Sequence, residues 1–242
     1  MMELAHNTAV APVLPQPILP VVNYRKSVVN GLNKSNQAIY EHMSIQHFKK
    51  CAVGSGLADC IDLRLIDDLI EKADAILDFG AGYGRAIEYF HFRNINARLY
   101  GIERVKKFAD YLRKRFRSHC SVINSDVFEA TLPEKLDLIT CLWSSIAEFS
   151  YQEQVRLIGQ FRRWLKPGGV LVIEQTVVGK VPQHFYTTDE CHYYHRNGND
   201  LLAYCAPYPE QLDHWCFDVG FKTRNTIVYE TNNIPRTLYL YS

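Results

Sequence analysis

Between residues 75 and 219 the chain alternates short apolar runs with stretches whose apolar side chains recur every three or four positions. The run at 75–77 is continuous, as in a strand buried on both faces, and 97–102, 121–124, 136–142 and 170–176 read as the further strands. Between them, 85–92, 105–117 and 154–165 are apolar on one side only. Val105, Phe108, Leu112 and Phe116 form such a stripe, and Val155, Ile158, Phe161 and Leu165 form another. A helix over 59–72, with Leu63, Ile66, Leu69 and Ile70 at helical spacing, leads into the first strand, and another over 209–219 follows the fifth. This alternation predicts an α/β fold with a parallel sheet. The end of the chain departs from it, because 223–229 and 236–241 are joined only by a short link at Asn232-Asn233 and must pair antiparallel.

Three segments fall outside the alternation. Residues 1–22 hold Pro12, Pro15, Pro17 and Pro20, which disfavour helix and predict an extended tail. Residues 23–56 turn polar and aromatic, and Ser35 ahead of Asn36-Gln37-Ala38-Ile39-Tyr40 predicts a capped helix start. Residues 178–208 gather His184, Tyr186, Cys191, His192, Tyr193, Tyr194, His195, Tyr204, Cys205 and Tyr208. Zinc-ligand residue types are present there, but their spacing matches neither H-E-x-x-H nor paired C-x-x-C, so no metal site is expected. A hairpin placing Tyr193 against Tyr204 and turning at Asn197-Gly198 accounts for the same residues.

Composition narrows the class. With 242 residues and 47% apolar content the chain can bury one sizeable core, and a formal charge of +1 gives no global signature of nucleic-acid or membrane binding. No apolar run approaches the roughly 18 residues of a membrane span, and seven cysteines without C-x-x-C pairs suit reduced thiols, so a soluble cytoplasmic protein is expected.

The candidate chemistry centres on I-L-D-F-G-A-G-Y-G-R, residues 76–85. A buried strand there ends at Asp78 and enters a turn carrying Gly80, Gly82 and Gly84, after which a new helix aims its free N–H groups at whatever the turn holds. Asp78 suits a ligand with a cationic amine or hydroxyls. The spacing G-x-G-x-G differs from the G-x-G-x-x-G of nicotinamide binders. Glu103 stands at the end of the next strand, about 20 residues past the glycines, where a carboxylate can accept both hydroxyls of a ribose. The helix at 105–117 is the chain's one concentrated basic stretch, which a solvated helix face explains.

The glycine turn, the helix ending in L-K-P-G-G at 165–169 and the terminal hairpin together resemble the Rossmann-like (class I) S-adenosylmethionine-dependent methyltransferases over roughly residues 57–242. The resemblance implies a doubly wound, mostly parallel seven-stranded sheet with a C-terminal antiparallel hairpin and helices on both faces. It implies a helical lid at 23–56, with Tyr40 and His47 as contacts, and a substrate-pocket insertion at 178–208. The cofactor is then S-adenosyl-L-methionine, with Asp78, Gly80, Gly82 and Gly84 at its amino-acid end and Arg85 facing its carboxylate. Glu103 meets the ribose, while Asp126, Val127 and Leu142 flank the adenine side. The loop after the fourth strand opens into the ligand crevice. Trp143, Ser144, Ser145 and Glu148 are therefore candidates to meet substrate. It reads W-S-S-I-A-E rather than the N-P-P-Y or D-P-P-Y of enzymes acting on nucleobase or amide nitrogens. The expected acceptor is an oxygen or nitrogen of a small molecule, with Glu148, His192 or His195 as the base. RNA or protein methylation, and S-adenosylmethionine binding without catalysis, are the alternatives. Nothing in the sequence sets an oligomeric state.

Overall fold

β1 (Ala75–Phe79) is buried along its whole length and stands at the centre of a seven-stranded sheet. It pairs in parallel with β2 (Arg98–Ile102) on one side and with β4 (Leu136–Cys141) on the other. β3 (Cys120–Ile123) extends the sheet beyond β2, and β5 (Leu165–Thr176) extends it beyond β4, both parallel. The edge is completed by β10 (Ile234–Tyr241), antiparallel to β5, and by β9 (Arg224–Thr231), antiparallel to β10. The computed structural model describes residues 32–94, 96–177, 185–187, 192–197 and 200–242. The expected tail at 1–22 lies outside them. Among the described residues no helix is long and apolar enough to cross a membrane, and no group of metal-ligating side chains assembles.

Alternate residues of each central strand serve opposite faces. Ile76, Leu138, Val172 and Leu238 join α3 (Ile61–Arg64), α4 (Asp67–Lys72), α5 (Arg85–Arg93) and α6 (Lys106–Phe116) in one apolar cluster. Leu77, Ile139, Ile173 and Tyr239 join α7 (Tyr151–Trp164) and α8 (Pro209–Asp218) in the other. This is the doubly wound sheet with its terminal hairpin. The hairpin turns on Asn232 and Asn233, at φ 47° and 61°, a left-handed pair that asparagine tolerates better than most side chains.

Several elements differ from their sequence patterns for identifiable reasons. The expected helix at 59–72 is two short helices, because Ile66 leaves helical geometry at φ −122° and Asp67 and Asp68 open a fresh first turn, where negative charge is favourable. Ser35 lies inside α1 (Leu32–His42) rather than at its start. Along α7 Ile158 and Phe161 are buried as the pattern predicts, but Gln154 rather than Val155 begins the inward face. Gln154 is fully buried, donating to the carbonyls of Phe149 and Cys205, while Val155 is exposed. Strand pairing begins already at Leu165, and Lys166 to Gly169 form a bulge between the Leu136–Leu165 and Leu138–Val170 pairs. A Cβ at Gly169 would stand 2.9 Å from the Leu136 carbonyl, so the second glycine is set by backbone approach.

Beyond β5, a second sheet of β6 (Phe185–Thr187), β7 (His192–Asn197) and β8 (Asp200–Cys205) is antiparallel throughout. Tyr193 faces Tyr204 as the sequence suggests, and the pairing runs on to Asn197 and Asp200. The connection between those two lies outside the described residues.

One buried ion pair fixes the start of α5 to the segment ahead of β1. Both terminal nitrogens of Arg85 donate to Asp62 at 2.6 Å, and its Nη1 also donates to the Leu57 carbonyl. Asp62 is fully buried, so removing it strands the guanidinium in the core. Asp62→Ala is expected to cost about 3–5 kcal/mol and to lower the melting temperature by about 10 °C. A thermal melt of the variant checks this, and an unchanged midpoint contradicts it.

Candidate active site

The strand order reverses between β1 and β4, and the crevice above that switch point is a cavity of about 390 Å³. Its floor is made by the carboxyl ends of β1, β2, β4 and β5. α1 and α2 (Ile45–Gly54) contribute Tyr40, Met43, His47, Phe48 and Cys51 from one side, and β8 contributes Leu202 and Tyr204 from another.

Asp78 sits at the end of β1, 5% exposed, and accepts a hydrogen bond from the Thr140 hydroxyl at 3.0 Å. Burial pushes its carboxyl up to about 7, against the pull of that hydrogen bond. Glu103, at the end of β2, is 6% exposed and accepts from the backbone N–H groups of Gly82 at 2.8 Å and Val105 at 2.7 Å. Burial again dominates and raises it to about 7. Neither carboxyl forms a salt bridge among the described residues, so the pair offers a cationic or hydroxyl-rich ligand two acceptors in a poorly solvated site. Asp126 lines the same cavity with one oxygen accepting the Phe128 N–H, next to the buried side chain of Val127, and Leu142 lies opposite.

The glycine turn has two duties. Gly80, Gly82 and Gly84 all have positive φ, from 53° to 85°. A Cβ at Gly82 would lie 2.8 Å from the Phe48 ring, and one at Gly84 would lie 2.4 Å from Phe116. Gly80 and Gly82 line the cavity, whereas Gly84 faces α6. Arg85 lines the cavity with its guanidinium engaged by Asp62 and Leu57. The carboxylate partner expected for it can therefore reach only its remaining N–H groups.

After β4 the chain takes two consecutive left-handed residues, Trp143 at φ 51° and Ser144 at φ 56°. Non-glycine residues hold such angles at a cost of roughly 1–3 kcal/mol each and keep them only where neighbours enforce them. Here the Ser144 N–H donates to the backbone carbonyl of Glu174 at 3.1 Å and to its side chain at 3.2 Å. Trp143 is thereby turned to stack on Phe48, centroids 5.2 Å apart, and Phe48 stacks in turn on Phe108. Glu148, in the 3-10 turn Ser145–Glu148, accepts from the Tyr40 hydroxyl at 2.6 Å and from Arg104 at 3.3 Å. Burial raises its carboxyl above the ordinary range, partly offset by Arg104 and Tyr40.

Tyr40, Asp78, Glu103, Asp126, Trp143, Ser144 and Glu148, far apart in sequence, thus share one cavity. His192 and His195 belong to β7, in register with Cys205 and Leu202, and their side chains lie outside the described residues. Phe48, Arg104, Thr176 and Arg236 also line the cavity. No spacing signal marks them in the sequence, since each reaches the site through tertiary contact.

Residues 76–169 match the family model described as a methyltransferase domain. No curated protein matches the chain in sequence. Solved structures similar in shape include a S-adenosylmethionine-dependent methyltransferase of Leishmania major, with a TM-score of 0.68 at 15% identity over 89% of this chain and 85% of that one. DesVI of Streptomyces venezuelae has a TM-score of 0.63 at 16% identity, covering 81% of this chain and 96% of that one. CalS10 of Micromonospora echinaspora, an amino pentose methyltransferase involved in calicheamicin biosynthesis, has a TM-score of 0.62 at 17% identity, covering 83% and 98%. At these identities the likenesses speak to the fold. The matched methyltransferase domain thus lies within a sheet whose strand order is that of the Rossmann-like S-adenosylmethionine-dependent methyltransferase fold.

Proposed function

We propose that this enzyme transfers a methyl group from S-adenosyl-L-methionine to an oxygen or nitrogen of a small molecule enclosed beneath a lid formed by α1 and α2. The observation that carries the reading is the cavity itself, which has unpaired acids at the glycine turn and an aromatic, polar wall across from them. The unpaired carboxyls of Asp78 and Glu103 fit an ammonium and a ribose, and Asp126, Val127 and Leu142 fit an adenine. When bound, the cofactor supplies an electrophilic methyl on a sulfonium. The chain's own share is to align the acceptor with it, and such alignment can supply about 7–11 kcal/mol. A water-poor pocket also favours a reaction that disperses charge. CalS10, similar in shape, is an amino pentose methyltransferase, and this is the acceptor class on which the small-molecule reading draws.

Glu148 is the base this geometry favours. Its carboxyl has raised basicity, is oriented by Tyr40 and Arg104, and stands in the loop that follows β4. RNA methylation has less support, because the cations of α6 are largely engaged by acids. Lys106 and Arg113 meet Asp110, Arg115 meets Glu88, and Lys107 donates to the Glu41 carbonyl.

Two outcomes test this reading. Asp78 and Glu103 are protonated in the free protein below about pH 7, and an ammonium-bearing ligand binds the ionised forms. Affinity for S-adenosylhomocysteine, measured by calorimetry, should therefore be weakest at pH 5.5, rise through pH 7 and level off above about pH 8. Asp78→Asn should weaken it about tenfold or more and flatten the rise. Affinity that is constant or falls across this range rejects the assignment.

A screen of metabolites, peptides and RNA with methyl-labelled cofactor identifies the acceptor class, and labelling confined to RNA or peptide defeats the small-molecule reading. With an acceptor in hand, Glu148→Gln should lower kcat by about 10²–10⁴-fold and remove the acid limb of the pH–rate profile. If His192→Ala or His195→Ala does so instead, the base is on β7.

A further inference from the structure

Two buried guanidinium groups line the cavity, and they are held differently. Arg85 has both terminal nitrogens engaged, by a two-pronged contact with Asp62 and by the Leu57 carbonyl. Arg236, 2% exposed on β10, donates Nε to the Thr231 hydroxyl at 2.8 Å and Nη1 to one oxygen of Glu174 at 2.9 Å. The other oxygen of Glu174 accepts from the Ser144 N–H. An arginine carries five N–H donors, and Nη2 of Arg236 makes no hydrogen bond among the described residues. A one-contact ion pair buried this deeply gives little net stability over apolar packing. Unspent donors in a cavity wall call for an acceptor atom.

Position decides which half of the cavity that acceptor occupies. Arg236 is in register with Thr176, whose N–H donates to the Ser144 hydroxyl at 3.3 Å, so it stands level with the loop after β4. β10 lies three strands from β1, roughly 14 Å across the sheet at the usual strand spacing. Glu103 and Asp126 lie on the other side of β1. We propose that Arg236 anchors a carboxylate of the methyl acceptor, so that the acceptor is an anionic small molecule. A carboxylate suits a guanidinium whose Nη2 is unspent, and the Glu174 contact fixes the group in the cavity wall. The inference rests on the small-molecule reading above.

The test titrates benzoate and its neutral analogue benzamide into the protein saturated with S-adenosylhomocysteine. Benzoate should bind at least tenfold more tightly than benzamide. Arg236→Lys keeps a cation beside Glu174 but loses the planar fork, and should weaken benzoate at least fivefold while leaving benzamide and S-adenosylhomocysteine within twofold. If that variant does not fold, the Glu174→Gln/Arg236→Gln pair, which leaves no buried ion unpartnered, replaces it in the same comparison. Equal binding of the two probes, or a preference for benzoate that survives in the variant, overturns the proposal. So does a variant that weakens S-adenosylhomocysteine instead, which assigns Arg236 to the cofactor's carboxylate. Absence of S-adenosylhomocysteine binding by the unmodified protein is a different failure, that of the cofactor assignment, and benzoate titrated into the free protein then reads Arg236 alone.

Discussion

Carboxyl groups buried without a cation are the constraint around which the upper edge of this sheet is arranged. Ionising a carboxyl in a dry interior costs several kcal/mol unless charge or hydrogen bonds compensate. Among the described residues, Asp62, Glu148 and Glu174 each have an arginine, whereas Asp78 and Glu103 have only a hydroxyl and backbone N–H groups. The two uncompensated acids stand at the ends of adjacent strands facing the glycine turn. A fold that pairs its other buried acids and leaves these two open has built half of an interaction, and under the proposed function S-adenosyl-L-methionine brings the charge and hydroxyls that complete it. Burial without a cation raises both carboxyls to about 7.

The glycines of the turn are more constrained than a ligand alone requires. The space a Cβ would take is filled by Ser145 at Gly80, by Phe48 at Gly82, and by Leu112 and Phe116 at Gly84. One short motif therefore lets the loop after β4, α2 and α6 all close on the end of β1. Phe48 is the piece that joins them, since its ring touches Gly82 and stacks on both Trp143 and Phe108. A substitution in this turn disturbs packing and binding together, and the two effects separate only when folding is measured without ligand.

What could be read in the sequence follows the same physics. Parallel strands buried on both faces leave continuous apolar runs, so β1, β2, β4 and β5 were legible, as were the acids at the ends of β1 and β2. The antiparallel close followed from link length alone. Helical periodicity was less dependable, because it assumes polar residues face water. Gln154 is polar and fully buried, since two carbonyls accept its amide, and it takes the inward place that the pattern gave to Val155. Asp62 and Arg85 meet 23 positions apart in sequence. Arg236 sits in the antiparallel strand β10, and its partner Glu174 is 62 positions away. Such pairs leave no local signal, because each partner is ordinary in its own neighbourhood.

The lid and the insertion meet through a contact that substitutes a side chain for a strand. Asn36, fully buried in α1, donates its amide to the Ala203 carbonyl and accepts the Ala203 N–H with its oxygen. It thereby occupies an edge position of β8 as a neighbouring strand would, and covers backbone groups that would otherwise need water. Tyr40, one turn further along α1, then reaches Glu148. One wall of the cavity is consequently assembled from a helix ahead of β1 and a small sheet placed between β5 and α8, and its floor comes from strand ends of the large sheet. Under the proposed function the wall meets the acceptor and the floor meets the cofactor, so changes in the wall reshape what is methylated without moving Asp78 or Glu103. That division explains how a common fold accommodates many acceptors, and why the identity of this one lies in the parts of the chain least marked by motif.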